Sequence, residues 1–259
     1  MANTQAIKKR MRSITTTQKI TKAMKLVSLS KLQHYREQQS QFSQYFEALE
    51  AASLSIGGDD NILDAMQTIY LAFMPDLGLC SMYTQGMMRM LEASMHEGDG
   101  LMLIGTQGYE HLRERGFNII NPIQSSEKID VTLLHRSLSA HIASYRIVAI
   151  IPEFTNALSL GFTARILNLQ KAEPNDDVLY EPNFTDVRAI VNSKLLAGLI
   201  RHTWLTSKVS EHTTRRIAME KATDSAQDML DVLERTYNRV RQEAITQEIS
   251  EIVSGMEDS

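Results

Sequence analysis

The stretch MEKATDSAQDMLDVLERTYNRVRQEA, residues 219–244, decides the fold. Its apolar residues other than Val232 are Met219, Ala222, Ala226, Met229, Leu230, Leu233, Tyr237, Val240 and Ala244. At about 100° per residue they fall in one stripe roughly 100° wide, the width of a helix face packed along a single partner. Beyond Ala244 the stripe moves, because Ile245, Ile249, Ile252 and Val253 point away from the earlier seam. A helix that changes neighbours along its length predicts a component of an assembly.

Working outward, the chain divides into parts expected at 1–58, 59–184 and 185–259. Residues 2–55 contain no Gly or Pro and are rich in good helix formers, which predicts one helix ending at Gly57 and Gly58. At 1.5 Å per residue it is roughly 80 Å long, more than a small domain buries alone. Ile7, Met11, Ile14, Leu29 and Leu32 share one face, whereas Ile20, Ala23, Met24 and Val27 lie about half a turn away. Two apolar faces imply two neighbours. The middle part holds all the prolines and most of the glycines, with Pro174 and Pro182 at its exit. Apolar runs at 68–74, 101–104 and 146–151 alternate with helical stretches at 85–96, 109–115 and 132–144. That alternation is the rhythm of a small domain with a parallel sheet between helical layers. A further helical pattern runs from near Asp186 to about Ser254, interrupted only by Gly198.

The two terminal helices flank the domain in sequence, so their simplest arrangement is an antiparallel pair. Charge supports this. Lys8, Lys9, Arg10 and Arg12 sit at a helix N-terminus, while Glu243, Glu248, Glu251, Glu257 and Asp258 sit at or beyond a helix C-terminus. Each set opposes its own helix dipole, and antiparallel pairing brings the two sets together. Alanines in the stripe allow close approach of the backbones. The predicted fold is α/β plus a long antiparallel coiled coil, with a small Rossmann-like three-layer domain inserted between the paired helices.

A formal charge of −4 over 259 residues does not mark a nucleic-acid-binding chain, although eight Lys or Arg lie between Lys8 and Lys31 and the first acid is Glu37. A basic run of this kind is usually a solvated face. Nucleic-acid binding by the first helix is the lowest-ranked alternative, and it leaves the acidic far end unexplained. The basic, acid-free start has the composition of an organellar transit peptide, but its apolar period continues into a structural helix, so it reads as mature protein. No apolar run approaches a membrane span, so no direct membrane insertion is expected. Cys80 is the single cysteine, which excludes an internal disulfide and any multi-cysteine metal site. It reads as a small packed side chain. The seven histidines show no ligand spacing, and most are expected at the surface. Gly105-Thr106-Gln107-Gly108 has neither the phosphate-loop GK[ST] nor GxGxxG, and reads as a tight turn. No catalytic, cofactor-binding or metal-binding constellation emerges. An enzyme with helical arms is therefore disfavoured.

The ends carry more specific sequence. KITKAM at 19–24, within TTTQKITKAMKLVSLSKL, and RQEAITQEISEIVSG at 241–255 closely resemble the terminal helices of the gamma subunit of F-type ATP synthase. SEHTTRRIAMEKATDSAQDMLDVLERTYNRVRQ at 210–242 continues the resemblance. IGTQGYEHLRERGFNI at 104–119, VAIIPEFTNAL at 148–158 and YEP at 180–182 echo the family's middle domain.

The resemblance implies a non-catalytic central shaft inserted in a ring of alpha and beta subunits. Its α/β foot would lie near epsilon and the membrane c-ring, as a peripheral protein on the cytoplasmic face of a bacterial cell membrane. It implies no cofactor, since ATP is made or hydrolysed on the beta subunits while rotation favours a different beta conformation in turn. By position in the matching motifs, Met24 faces a beta-subunit lever segment, and Gln242, Thr246 and Glu248 belong to the contact between the last helix and a beta-subunit loop. The centre departs from the family. It reads PDLGLCSMYTQG at 75–86 where a glycine pair usually follows GLC, and the domain is short. A gamma-like paralog with altered coupling or base is the alternative reading.

Overall fold

A computed structural model describes residues 2–56, 67–142, 144–156, 159–167 and 179–257. The expected helix stop at Gly57 and Gly58, Pro174, Asp258 and the side chains of Glu251, Ile252, Val253 and Glu257 lie outside the described residues. The chain forms two compact units, Met1–Leu29 with Arg215–Ser259, and Ser30–Thr214. Two long helices, α1 (Ala2–Ser55) and α5 (Phe184–Glu257), contribute to both.

The larger unit contains a four-stranded sheet of β1 (Thr68–Phe73), β2 (Gly100–Ile104), β3 (Arg146–Asn156) and β4 (Ser159–Ile166), in the order β2-β1-β3-β4. β1 pairs in parallel with β2 and β3, with Leu71 opposite Met102 on one side and Ala149 on the other. Successive side chains point to opposite faces, and both faces are covered. Ile69, Leu71, Phe73, Ile104, Ile147 and Ala149 pack against Phe46 and Leu49 of α1 and Leu195, Leu196, Leu199 and Ile200 of α5. Tyr70, Ala72, Leu101, Leu103, Val148 and Ile150 pack against the opposite layer, through Tyr83, Met87, Leu91 and Leu112. Burial on both faces explains why these strands read as unbroken apolar runs. That layer is formed by α2 (Ser81–Ser94) and α3 (Tyr109–Glu114). A short α4 (Val131–Ser139) joins the first layer, its start capped by Asp130, which accepts from the Leu133 amide at 3.0 Å.

The parallel pairing expected from the sequence holds for β2, β1 and β3, and one further strand is added. β4 runs antiparallel to β3 at the sheet edge, with Pro152 opposite Phe162. An edge strand covered on one side carries little apolar signal, and SLGFTARI has neither a buried run nor clean alternation. Element ends also shift. α2 begins at Ser81 rather than 85, directly after buried Cys80, and α4 ends at Ser139 rather than 144, giving way to turns. The 105–108 turn is confirmed by its backbone. Gly105 has φ +122°, and a Cβ there would sit 2.0 Å from the Met74 carbonyl oxygen, so only glycine fits between β2 and the end of β1.

The histidines are less exposed than expected. His34, His96 and His111 are exposed, whereas His202 stacks on Phe46 at 4.6 Å and buried His212 stacks on Tyr35 at 5.5 Å. Burial, with Arg165 nearby, holds the His202 pKa below its usual value, so it packs as a neutral flat ring. Such rings fill the helix–helix contact as aromatics do. α5 opens on a reciprocal cap, in which Asn183 accepts from the Asp186 amide at 3.0 Å and donates to its carboxylate at 2.7 Å.

Candidate functional site

The smaller unit is built from the first turns of α1 and the second half of α5. On α1 the inward residues follow alternating steps of three and four: Ile7, Met11, Ile14, Gln18, Thr21, Lys25 and Ser28. This is the spacing of a coiled-coil seam, but its later positions are polar. Across the seam Gln18 donates to Gln227 at 2.9 Å, the Thr21 and Thr223 hydroxyls lie 2.9 Å apart, and Lys25 pairs with Glu220 at 2.6 Å. Partners rise in number on one helix as they fall on the other, so the pair is antiparallel. Lys25 lowers the Glu220 pKa by donating a hydrogen bond and by its charge. At the tip of α1, Lys8 lies over the Tyr237 ring at 5.3 Å. That contact is to an aromatic ring rather than to the acids expected there; among the described residues, Glu243 pairs with Arg239 of its own helix at 3.5 Å, and the ion pair joining the two helices in this unit is Lys25–Glu220.

The stripe on α5 is largely as read. Met219 and Ala226 are buried, and Ala222, Leu230, Leu233, Tyr237, Val240 and Ala244 are partly buried. Met229 is the exception at 53% exposed; with Val232, Leu233, Arg10 and Ile14 it borders a shallow apolar hollow of about 300 Å³. Beyond Ala244 the drift is real, since Ile245 is 46% and Ile249 57% exposed. On α1, Leu29 is exposed while Ser28 is buried, a correction that follows from the seam stepping from 25 to 28 to 32. Ile20, Leu26 and Val27 form an outward apolar face, each more than half exposed.

The residues singled out from sequence occupy two places rather than one. Met24 is half-buried on α1, between seam residues Thr21 and Lys25. Those residues face Thr223 and Glu220, which puts Gln242 about 20 residues further along α5, roughly 30 Å at 1.5 Å per residue. Gln242, Thr246 and Glu248 are exposed, and the Thr246 hydroxyl donates to the Gln242 carbonyl at 2.9 Å. Among the described residues no cluster of His, Cys, Asp or Glu is arranged to hold a metal, and no helix is long and apolar enough to cross a membrane.

A family model described as ATP synthase matches residues 3–258. The ATP synthase gamma chain of Malacoplasma penetrans is 34% identical, over 98% of this chain and 99% of the relative. The chain belongs to the ATP synthase gamma-chain family. A second gamma chain, from Macrococcus caseolyticus, is 31% identical over 98% of each sequence. The fold is also that of a chain in the Euglena gracilis mitochondrial ATP synthase rotor, with a TM-score of 0.72 at 14% identity, covering 94% of this chain and 99% of that one.

As a gamma chain it is a non-catalytic stalk subunit. Sequence reasoning missed the polar part of its seam. The signal was present in the spacing of Gln18, Thr21, Lys25 and Ser28, which continues the three-and-four rhythm of Ile7, Met11 and Ile14 without their apolar chemistry. A search for apolar periodicity passes over it and finds Ile20, Ala23, Met24 and Val27 instead.

Proposed function

We propose that this chain is the rotor shaft of a rotary ATP synthase, turning inside a ring of alpha and beta subunits and passing rotation to conformational change at the beta subunits. The carrying observation is that each helix of the smaller unit has an internal seam and, elsewhere on its surface, exposed apolar residues. A shaft needs both, one to hold itself together and one to bear on its surroundings. In this reading Met24, beside the outward Ile20–Val27 face, meets a beta-subunit lever segment, and Gln242, Thr246 and Glu248 meet a beta-subunit loop around the α5 tip. The α/β layer contacts epsilon and the c-ring, and the chain is a peripheral membrane component on the cytoplasmic face of a bacterial membrane.

The basic run supports this reading over nucleic-acid binding. Lys8, Lys25 and Lys31 are engaged within the protein, by Tyr237, Glu220 and Glu127. Purification of the tagged native chain is expected to recover alpha and beta ATPase subunits, and recovery without them would sink the proposal. Deleting 245–259 is expected to weaken assembly or coupling while leaving the α/β layer folded by circular dichroism. Unchanged coupling after both that truncation and Gln242→Ala would remove the assigned contact at the tip.

A further inference from the structure

Most of the contact between the sheet and the helices of the larger unit is apolar, and apolar packing is non-directional. One cluster differs. Lys208 of α5 is 1% exposed at its side chain, and its Nζ donates to Glu211 Oε2 and to Ser126 Oγ, each at 2.8 Å. Glu127 Oε2 lies 3.8 Å from the same ammonium, and its other oxygen pairs with Lys31 of α1. The 125–127 loop is fixed in turn by Asp76 at the end of β1. Its Oδ2 accepts from the Ser125 hydroxyl at 2.6 Å and from the Ser126 and Glu127 amides at 2.9 and 3.0 Å. Trp204 Nε1 of α5 donates to the Ser126 carbonyl at 2.8 Å. Four separate pieces of chain, the β1 end, one loop, α1 and α5, therefore meet through directional bonds at one point.

We propose that this Lys208-centred cluster sets the torsional stiffness between the α/β layer and the helix segments it packs on, with Lys208 as the positioning residue. The inference rests on the shaft reading. A lateral load on an apolar contact meets only shallow resistance, because one packed arrangement exchanges for another at similar burial. Displacing the loop from α5 instead strips one hydrogen bond from the buried Lys208 ammonium and another from the Trp204 indole, which is costly at any displacement. Arg165 of β4 also pairs with Glu50 of α1, but these side chains are 42% and 33% exposed and the pair is screened by solvent.

The test uses the assembled complex with alpha and beta, and a bead fixed to the α/β layer whose angular fluctuation is recorded during pauses in rotation. Lys208→Met takes the ammonium away from buried Glu211, so the double variant Lys208→Met/Glu211→Leu is measured beside it. Removing both charges is expected to keep thermal stability at or above the parent's. The angular variance is expected to rise by about two-fold or more, while Lys208→Arg stays near the parent. Variance unchanged in the double variant would overturn the proposal and leave the cluster a matter of stability alone. Failure of the parent complex to turn the bead at all would instead count against the shaft reading.

Discussion

At the residue scale, the middle of the coiled-coil seam is held by hydroxyls, an amide pair and an ion pair where leucines would bind more tightly. Thr21 and Thr223 illustrate the chemistry. Each hydroxyl lies within hydrogen-bond distance of a carbonyl on its own helix, Gln18 at 3.0 Å for Thr21 and Met219 at 2.7 Å for Thr223, and the two hydroxyls share a hydrogen bond across the seam at 2.9 Å. Either hydroxyl alone faces an unmatched partner, so Thr21→Val or Thr223→Val is expected to cost up to about 1 kcal/mol. The double Val variant, which matches two apolar groups, is expected to be at least as stable as the parent in thermal unfolding. A less stable double variant would show that the hydroxyl bond contributes net stability. Polar seam residues fix register at the expense of stability, which suits a helix pair whose faces must present to partners at a set angle. The identity of these residues was legible, but their inward orientation was not. Nothing in a Thr or Gln states which side of a helix is covered, and the exposed Ile20, Leu26 and Val27 advertised the wrong side.

At the element scale, α2 and β4 are fitted to each other through an absence. A Cβ on Gly86 would lie 2.3 Å from Phe162 Cε2, closer than any real side chain permits, so α2 approaches the edge strand only because Gly86 has none. Phe162 in turn meets Tyr83 edge-on at 5.6 Å, and the Tyr83 hydroxyl donates to the Phe73 carbonyl at 2.7 Å. Gly86→Ala adds helix propensity of about 1 kcal/mol, but crowding in a packed layer costs about 1–3 kcal/mol. A net loss on denaturant unfolding is expected, recovered when Phe162→Leu is added. Parent-like stability of Gly86→Ala would mean that the ring moves freely. The central strands were readable because burial on both faces leaves a run of Val, Ile and Leu. β4 was not, since its stability comes from pairing with β3 rather than from its own composition.

At the scale of the whole molecule, the two units differ in how they are held. The larger has two apolar cores, one on each face of the sheet, whereas the described seam of the smaller is narrow, polar in part and open to solvent. Local opening follows buried contact density, so amides of β1 and β3 are expected to exchange slowest in the isolated chain. Those of α5 at 230–250 are expected to exchange fastest among helical amides, and to slow strongly once alpha and beta are bound. Equal protection of both regions in the free chain would contradict this account. The sequence by itself determined the helices, the strands β1, β2 and β3 and the turn at Gly105, because each follows from local periodicity, propensity or backbone sterics. It also determined the drift of the stripe past Ala244, which needs only the 3.6-residue turn. The tertiary structure alone decided that β4 closes the sheet, that histidines serve as packing rings, and that Asp76, Ser126, Lys208 and Glu211 meet. These depend on residues far apart in the chain, and for such contacts the energy lies in burial and directional bonding that no local pattern encodes.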